Sequence, residues 1–237
     1  MIACRGVAIR PLRQLRAALV VCVVGVVAVF VWGLIIRSHP AITAWDQNLL
    51  VAVNGGHSGF LDAATQVFNY GFSPVWSPLV VVAVAAVIVI ATRRLGTGIF
   101  VALTAGVIYA PVNLIKVIVQ RPRPLELPYV VPGPPVGHSF SFPSGHVTMA
   151  AAVVLVLVLV VRQRRVAGIV GGLVVAATAF SRMYAGAHYL IDVLTSMVYV
   201  ATAGPAIYAG MRWLATRGDV VARIDRWAER KPPPASE

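Results

Sequence analysis

Six stretches of the chain run for 15 to 21 residues without a charged side chain, and arginines mark most of their ends. They lie between Arg16 and Arg37, from about Pro74 to Arg93, between Arg94 and Lys116, from Val147 to Val161, between Arg165 and Arg182, and between Asp192 and Arg212. A hydrocarbon core about 30 Å thick is crossed by roughly 20 apolar residues of helix, which satisfies its own backbone polar groups without water. The sequence therefore predicts an all-α, polytopic membrane protein with six transmembrane helices, at about 17–36, 74–92, 95–116, 145–161, 166–184 and 190–211. Two stretches are short, and the polar residues beside them are expected to complete those helices. Composition agrees: 59% of residues are hydrophobic and 12% charged, whereas about 25% charged is usual for a soluble domain.

At 237 residues the chain has no room for a sizeable second, soluble domain beside six spans. Residues 1–230 are expected to form one membrane domain, and 231–237, which include three consecutive prolines, a disordered tail. The first apolar run is longer than a secretory signal and lacks a convincing small-x-small cleavage site, so it reads as a retained anchor. Cys4 and Cys22, the two cysteines, read as inert small residues, and a disulfide scaffold is excluded.

The net charge of +12 suits nucleic acid, a membrane surface or an acidic ligand, and position separates these. With the N-terminus cytoplasmic, fifteen of the twenty basic residues fall on the inner side. Arg37, Lys116, Arg121, Arg123 and Arg182 fall on the outer side. That bias predicts both termini in the cytoplasm and removes the nucleic-acid reading. The inner arginines and the basic C-terminal segment mark the inside and suit anionic lipid headgroups. All five histidines, His39, His57, His138, His146 and His188, fall outside.

Residues 38–73 are too polar to span. Trp45, Leu49 and Val53, then Leu61, Ala64 and Phe68, recur at helical spacing, which predicts two short helices over about 43–70 in the outer interface. Seven prolines between 118 and 143 forbid regular structure there. No internal repeat supports an inverted-repeat transporter.

Three outer clusters carry the ionisable groups that chemistry needs. Lys116 ends the third span, and Arg123 follows within Arg121-Pro122-Arg123-Pro124, where prolines stiffen the backbone. These cations either snorkel to headgroups or aim at an anion, and Arg121 fits both readings. Ser144 precedes an apolar run in Pro143-Ser144-Gly145-His146. It suits an N-cap, and the helix start offers free N–H groups and partial positive charge for a phosphate. The alternative is a plain cap with His146 solvated. Between Ser181 and Asp192, a helix starting near His188 would put Asp192 four residues on, on the same face. The carboxylate would then accept a hydrogen bond from Nδ1–H and leave Nε2 as a nucleophile; otherwise the pair only stabilises a helix start. Carboxylates on the outer side, Asp46, Asp62, Glu126 and Asp192, are too sparse for a metal centre, so no metal or other cofactor is expected.

These residues resemble the type 2 phosphatidic acid phosphatase (PAP2) superfamily. Its signature is a lysine, six residues and Arg-Pro, then Pro-Ser-Gly-His, then Ser-Arg, five residues, His, three residues and Asp. Here these are Lys116 to Arg123-Pro124, Pro143 to His146, and Ser181, Arg182, His188 and Asp192, over 77 residues. One departure is Leu190, where related sequences often have proline. The resemblance implies a helical bundle core like that shared with vanadium haloperoxidases. It implies that Lys116, Arg123 and Arg182 clamp phosphate oxygens with Ser144 and the Gly145 N–H. His188, oriented by Asp192, would form a phosphohistidine, and His146 would serve as general acid and base, with no metal. Ser181 is left as a cap or supporting group. Roles for His138, Tyr184 and Glu126 stay open, as do protein partners.

A site at the outer headgroup level suits a lipid whose tail stays in the bilayer, since lifting it into water costs ~0.8 kcal/mol per CH₂. The expected substrates are a polyprenyl phosphate or diphosphate, phosphatidic acid, or phosphatidylglycerol phosphate. Eighteen arginines against two lysines, with abundant Ala, Val and Gly, suggest a GC-rich bacterial genome, hence a bacterial cytoplasmic membrane and the polyprenyl carrier of envelope synthesis. Competing readings are a non-catalytic lipid-phosphate binder or transporter, and a lipid phosphotransferase.

Overall fold

A computed structural model describes residues 13–73, 75–124, 127, 129, 139–217 and 219–229. Among them all regular structure is helical: α1 Arg13–Ser38, α2 Pro40–Gly55, α3 Gly59–Gly71, α4 Ser77–Thr92, α5 Leu95–Tyr109, α6 Pro111–Val119, α7 Gly145–Val160, α8 Arg164–Tyr184, α9 Leu190–Arg217 and α10 Val220–Glu229. The segment read as a disordered tail, 231–237, lies outside the described residues, as do Glu126 and His138.

Four segments are long and apolar enough to cross a membrane: Arg16–Ser38, Leu95–Val119, Arg164–Tyr184 and Leu190–Arg217. The second joins α5 to α6. Pro111 brings no N–H, but Ala110 keeps right-handed helical backbone (φ −51°, ψ −42°), so the rod continues through the break. Two further apolar helices, α4 and α7, have 16 residues each, about 24 Å at 1.5 Å per residue. One helix was absent from the sequence reading. α10 turns Val221 and Ile224 inward, and its Asp225 carboxylate accepts from the Gly96 N–H at the start of α5 (2.7 Å).

α9 is the central post, packed by α1, α7 and α5, while α7 also lies along α8. Glycines permit these approaches. A methyl on Gly25 would sit 2.8 Å from Thr202 Oγ1 across the α1–α9 contact, and one on Gly98 2.8 Å from the Ala85 carbonyl across α4–α5.

The exterior is apolar, and beside the apolar core lies a buried polar cluster. Large apolar residues of α1 and α4, such as Leu19, Val24, Val82 and Ile90, are exposed, while Asp46, Asn54, Asn69, Arg121, His188 and Asp192 are buried. α2 and α3 follow the same pattern. The apolar stripe read from the sequence is not the buried face: Trp45 is exposed, and Leu49, Val53, Leu61, Ala64 and Phe68 are only half-buried. The buried positions are instead Asp46, Leu50 and Asn54 on α2, and Thr65 and Asn69 on α3. In an apolar solvent the costly groups are polar ones, so these helices turn them toward the protein.

α7 and α9 begin where α6 and α8 end. The junctions between α4 and α5 (Arg93, Arg94) and between α7 and α8 (Arg162, Arg164, Arg165), with the end of α9 (Arg212, Arg217), lie at the opposite end of the bundle.

Candidate active site

The third cluster is built by one turn. α8 ends at Tyr184, and Gly186 takes a left-handed conformation (φ +66°), as glycine does past a helix end. The chain reverses, and the Arg182 carbonyl accepts both the Ala187 N–H (3.0 Å) and the His188 N–H (3.2 Å). The five-residue gap between Arg182 and His188 is therefore the length of a helix end plus one glycine turn. Gly186→Ala is expected to cost about 1–2 kcal/mol for the left-handed backbone, and more because the new methyl would collide with Leu127. Thermal unfolding of purified protein measures this loss, and turnover should fall with it as His188 shifts.

α9 begins at Leu190, not His188, so helical spacing is not what joins His188 to Asp192. The imidazole stands in the preceding turn, with Nδ1 3.6 Å from Asp192 Oδ2, beyond a hydrogen bond. The reason is competition for the carboxylate. Its Oδ2 accepts the Tyr189 N–H (3.0 Å), and its Oδ1 accepts from Arg121 Nη1 (2.7 Å). His188 Nδ1 has no hydrogen-bond partner. Its Nε2 lies 3.5 Å from Arg123 Nη1; a guanidinium only donates, which assigns the proton to Nδ1, on the Asp192 side. Burial pushes His188 well below the ordinary imidazole range, and Arg123, Lys116, Arg182 and His146 push it further. It is neutral at pH 7.

Lys116 and Arg123 hold the end of the proline-rich connector. Lys116 Nζ donates to the Phe140 carbonyl (2.7 Å). Arg123 donates from Nε to the Ser139 carbonyl (2.6 Å), from Nη2 to Ser139 Oγ (2.8 Å) and from Nη1 to the Ala187 carbonyl (2.6 Å). The connector thereby delivers Ser144 to the start of α7, where the Thr148 and Ser196 hydroxyls donate to its carbonyl (2.8 and 3.1 Å). Ser144 Oγ is buried, caps no backbone N–H of α7 and has no partner. Gly145 leaves room for Tyr109, whose hydroxyl oxygen would lie 3.3 Å from an added methyl carbon.

His146, half-buried, donates from Nε2 to the Asn69 carbonyl (3.1 Å), leaving Nδ1 free to exchange a proton. The Asn69 side-chain oxygen accepts from Arg182 Nη1, while Arg182 Nε is buried without a partner. One residue of α3 thus touches two members of the site. Among the described residues no group of three or more His, Cys, Asp or Glu could hold a metal ion.

All eight residues singled out by spacing, Lys116, Arg123, Ser144, Gly145, His146, Arg182, His188 and Asp192, stand at one end of the bundle. A model of the PAP2 superfamily matches residues 95–215, just over half of the chain, and spans all eight. The chain belongs to the PAP2 superfamily. Its fold is similar to that of a transmembrane PAP2-type phosphatidylglycerolphosphate phosphatase from Bacillus subtilis, with a TM-score of 0.61 and 20% sequence identity, covering 81% of this chain and 96% of that one. No curated protein matches the sequence. Integral-membrane architecture follows from the apolar spans and the shared fold.

Three neighbours of these residues in the PAP2 fold have no role assigned from the sequence. Arg121, left ambiguous there, is fully buried between Asp192 and Asp46 Oδ2 (3.0 Å). Asp46 and Asn69 lie outside the matched 95–215 region. The available signal was the recurrence of Asp46 with Asn54 and of Asp62 with Asn69 near multiples of the helical repeat, a polar stripe beside the apolar one. Tyr184 is committed elsewhere: its hydroxyl donates to Asp62 Oδ1 (2.6 Å), whose Oδ2 accepts from Tyr129 (3.0 Å).

Proposed function

We propose that the protein is a metal-independent lipid phosphate phosphatase that works through a phosphohistidine on His188. The observation that carries this is the neutral, buried His188 set among three cationic side chains and His146, with Asp192 behind it. Lys116, Arg123 and Arg182 supply N–H donors, and positive charge once an anion is bound, for a phosphate, and Ser144 Oγ and the first N–H groups of α7 supply donors that need no reorganisation. His188 Nε2 attacks phosphorus in line as the phosphorus–oxygen bond to the lipid breaks. His146, charged in the presence of the phosphate, gives its proton to the leaving oxygen. Water then attacks the phosphohistidine, His146 takes a proton from it, and the phosphorus–nitrogen bond electrons return to Nε2.

The reading includes six spans, with the two short stretches, in α7 and α8, extended by the polar motif residues beside them. Both termini lie in the cytoplasm of a bacterial cell and the site faces outward. The arginine-bearing helix ends at the opposite end of the bundle support this orientation through the positive-inside bias, and they suit anionic headgroups. A lipid with its phosphate at the site and its tail in the bilayer fits the apolar exterior. Candidate lipids are polyprenyl phosphate or diphosphate, phosphatidic acid and phosphatidylglycerol phosphate.

The test is a panel of these four lipids with detergent-purified protein in EDTA. Phosphate release from at least one, undiminished by the chelator, is the expected result. No release from any of them, with or without added divalent metal, would favour a binder or transporter. Phosphoryl transfer to an added alcohol in place of water would make the enzyme a transferase.

A further inference from the structure

We propose that Asp46, on α2, is a positioning residue for the nucleophile, acting through Arg121 and through the first turn of α9. This rests on the reading of His188 as nucleophile.

Asp46 is fully buried and holds two things at once. Its Oδ1 accepts the Leu190 N–H (2.9 Å), and its Oδ2 faces the Ile191 N–H (3.4 Å). These are the first residues of α9, where free N–H groups and the helix dipole favour an anion. Oδ2 also accepts from Arg121 Nη2 (3.0 Å). Arg121 in turn gives Nη1 to Asp192 and lays its guanidinium over the Tyr189 ring, 4.1 Å from the centroid. One carboxylate from a helix outside the matched family region thus clamps the start of α9, while the arginine it holds clamps Asp192.

The consequence lies in how Arg121 divides its fork. With two carboxylates to serve, it takes one oxygen of each, and Asp192 Oδ2 stays on the His188 side. With Asp46 neutral, Asp192 is the sole counter-ion of a fully buried guanidinium, and a bidentate pair with Arg121 is the favoured geometry. Such a pair draws Oδ2 away from Nδ1, already 3.6 Å distant. The imidazolium-like charge on the phosphorylated ring would then lose its nearest anion. Asp46 makes no hydrogen bond or ion pair with Lys116, Arg123 or Arg182, so substrate binding is not its business.

The experiment compares wild type, Asp46→Asn, Asp46→Glu and Arg121→Lys in detergent, on whichever lipid phosphate the wild type hydrolyses. Asn keeps one oxygen for the Leu190 N–H but removes the charge and puts an NH₂ where Oδ2 accepts from Arg121, so it releases the arginine while leaving the helix start capped. Its expected effect is a kcat about 10- to 100-fold lower, the usual scale for a group that orients a working imidazole, with KM within about threefold and with slower formation of the acid-labile phosphoenzyme in a single turnover. Asp46→Glu, which restores the charge, should recover part of the loss. Arg121→Lys keeps a charge but has no fork to serve two carboxylates, so it should lower kcat in the same way. The loss in the double variant Asp46→Asn/Arg121→Lys should be no greater than in the worse single one.

A monodisperse Asp46→Asn protein with wild-type kcat, or with raised KM and unchanged kcat, overturns the proposal. If Asp46→Asn does not fold, Arg121→Lys decides by the same two criteria. Fully additive losses in the double variant also overturn it, since they separate Asp46 from Arg121. Inactive wild-type protein would instead count against the phosphatase reading itself.

Discussion

Alanine in place of His188 is expected to lower turnover on any lipid phosphate by on the order of 10⁴-fold or more and to abolish the acid-labile phosphoenzyme. No other neutral nitrogen stands in the same place. His146, its Nε2 held by the Asn69 carbonyl, is committed in this reading to proton transfer through Nδ1, and Arg123 and Arg182 carry guanidinium groups, which are poor nucleophiles. The loss belongs in kcat, because Lys116, Arg123 and Arg182 keep their own partners without the imidazole. The same burial gives a pH signature. His188 is held well below its ordinary range by burial first and the nearby cations second. The unfolded chain therefore binds a proton near pH 6.5, where the folded one does not, and this residue's contribution to stability is present above that pH and lost as pH falls toward the folded value. In the alanine variant this contribution disappears from the acid-unfolding profile. Wild-type-like phosphoenzyme in the variant would remove His188 from the mechanism.

The second large effect is expected at His146, and it should depend on the leaving group. A general acid contributes roughly 10²- to 10⁴-fold when the departing oxygen is a poor leaving group, as in an alkyl or prenyl phosphate. With an aryl phosphate, whose oxygen leaves without a proton, His146→Ala should retain far more activity, and hydrolysis of the phosphohistidine should become the slow step. Steady-state phosphoenzyme would then rise in the variant. Because the Asn69 carbonyl that holds His146 belongs to the backbone of α3, the substitution leaves the Asn69 side chain on Arg182. Equal losses on both substrate types would contradict the acid role and point to positioning alone.

The legible part of this site was local. Lys116 to Arg123, Ser144 to His146, and Arg182 to Asp192 are short-range patterns, set by a helix end, a proline-stiffened strand and the Gly186 turn. Asp46 and Asn69 were illegible as site residues for a different reason. Their partners are far away in sequence: Leu190 for Asp46, 144 residues on, and Arg182 for Asn69, 113 residues on. The hydrophobic period over 38–73 predicts helices there but does not say which side packs against the protein. Arg121 had the same difficulty, since its role is set by carboxylates on two helices distant in sequence, α2 and α9.

By itself the sequence determined that the chain is helical and membrane-bound, because transfer into hydrocarbon depends on runs of neighbouring residues. It also determined the family, and it singled out eight residues that the fold brings to one end of the bundle, because turns and caps fix short spacings. Only the tertiary structure decided which way the polar faces of α2 and α3 turn, how Arg121 is shared between two carboxylates, and why Asp192 stands 3.6 Å from His188 rather than in a hydrogen bond. Those depend on competition for partners among buried charges brought together from distant helices, and no local pattern records that competition.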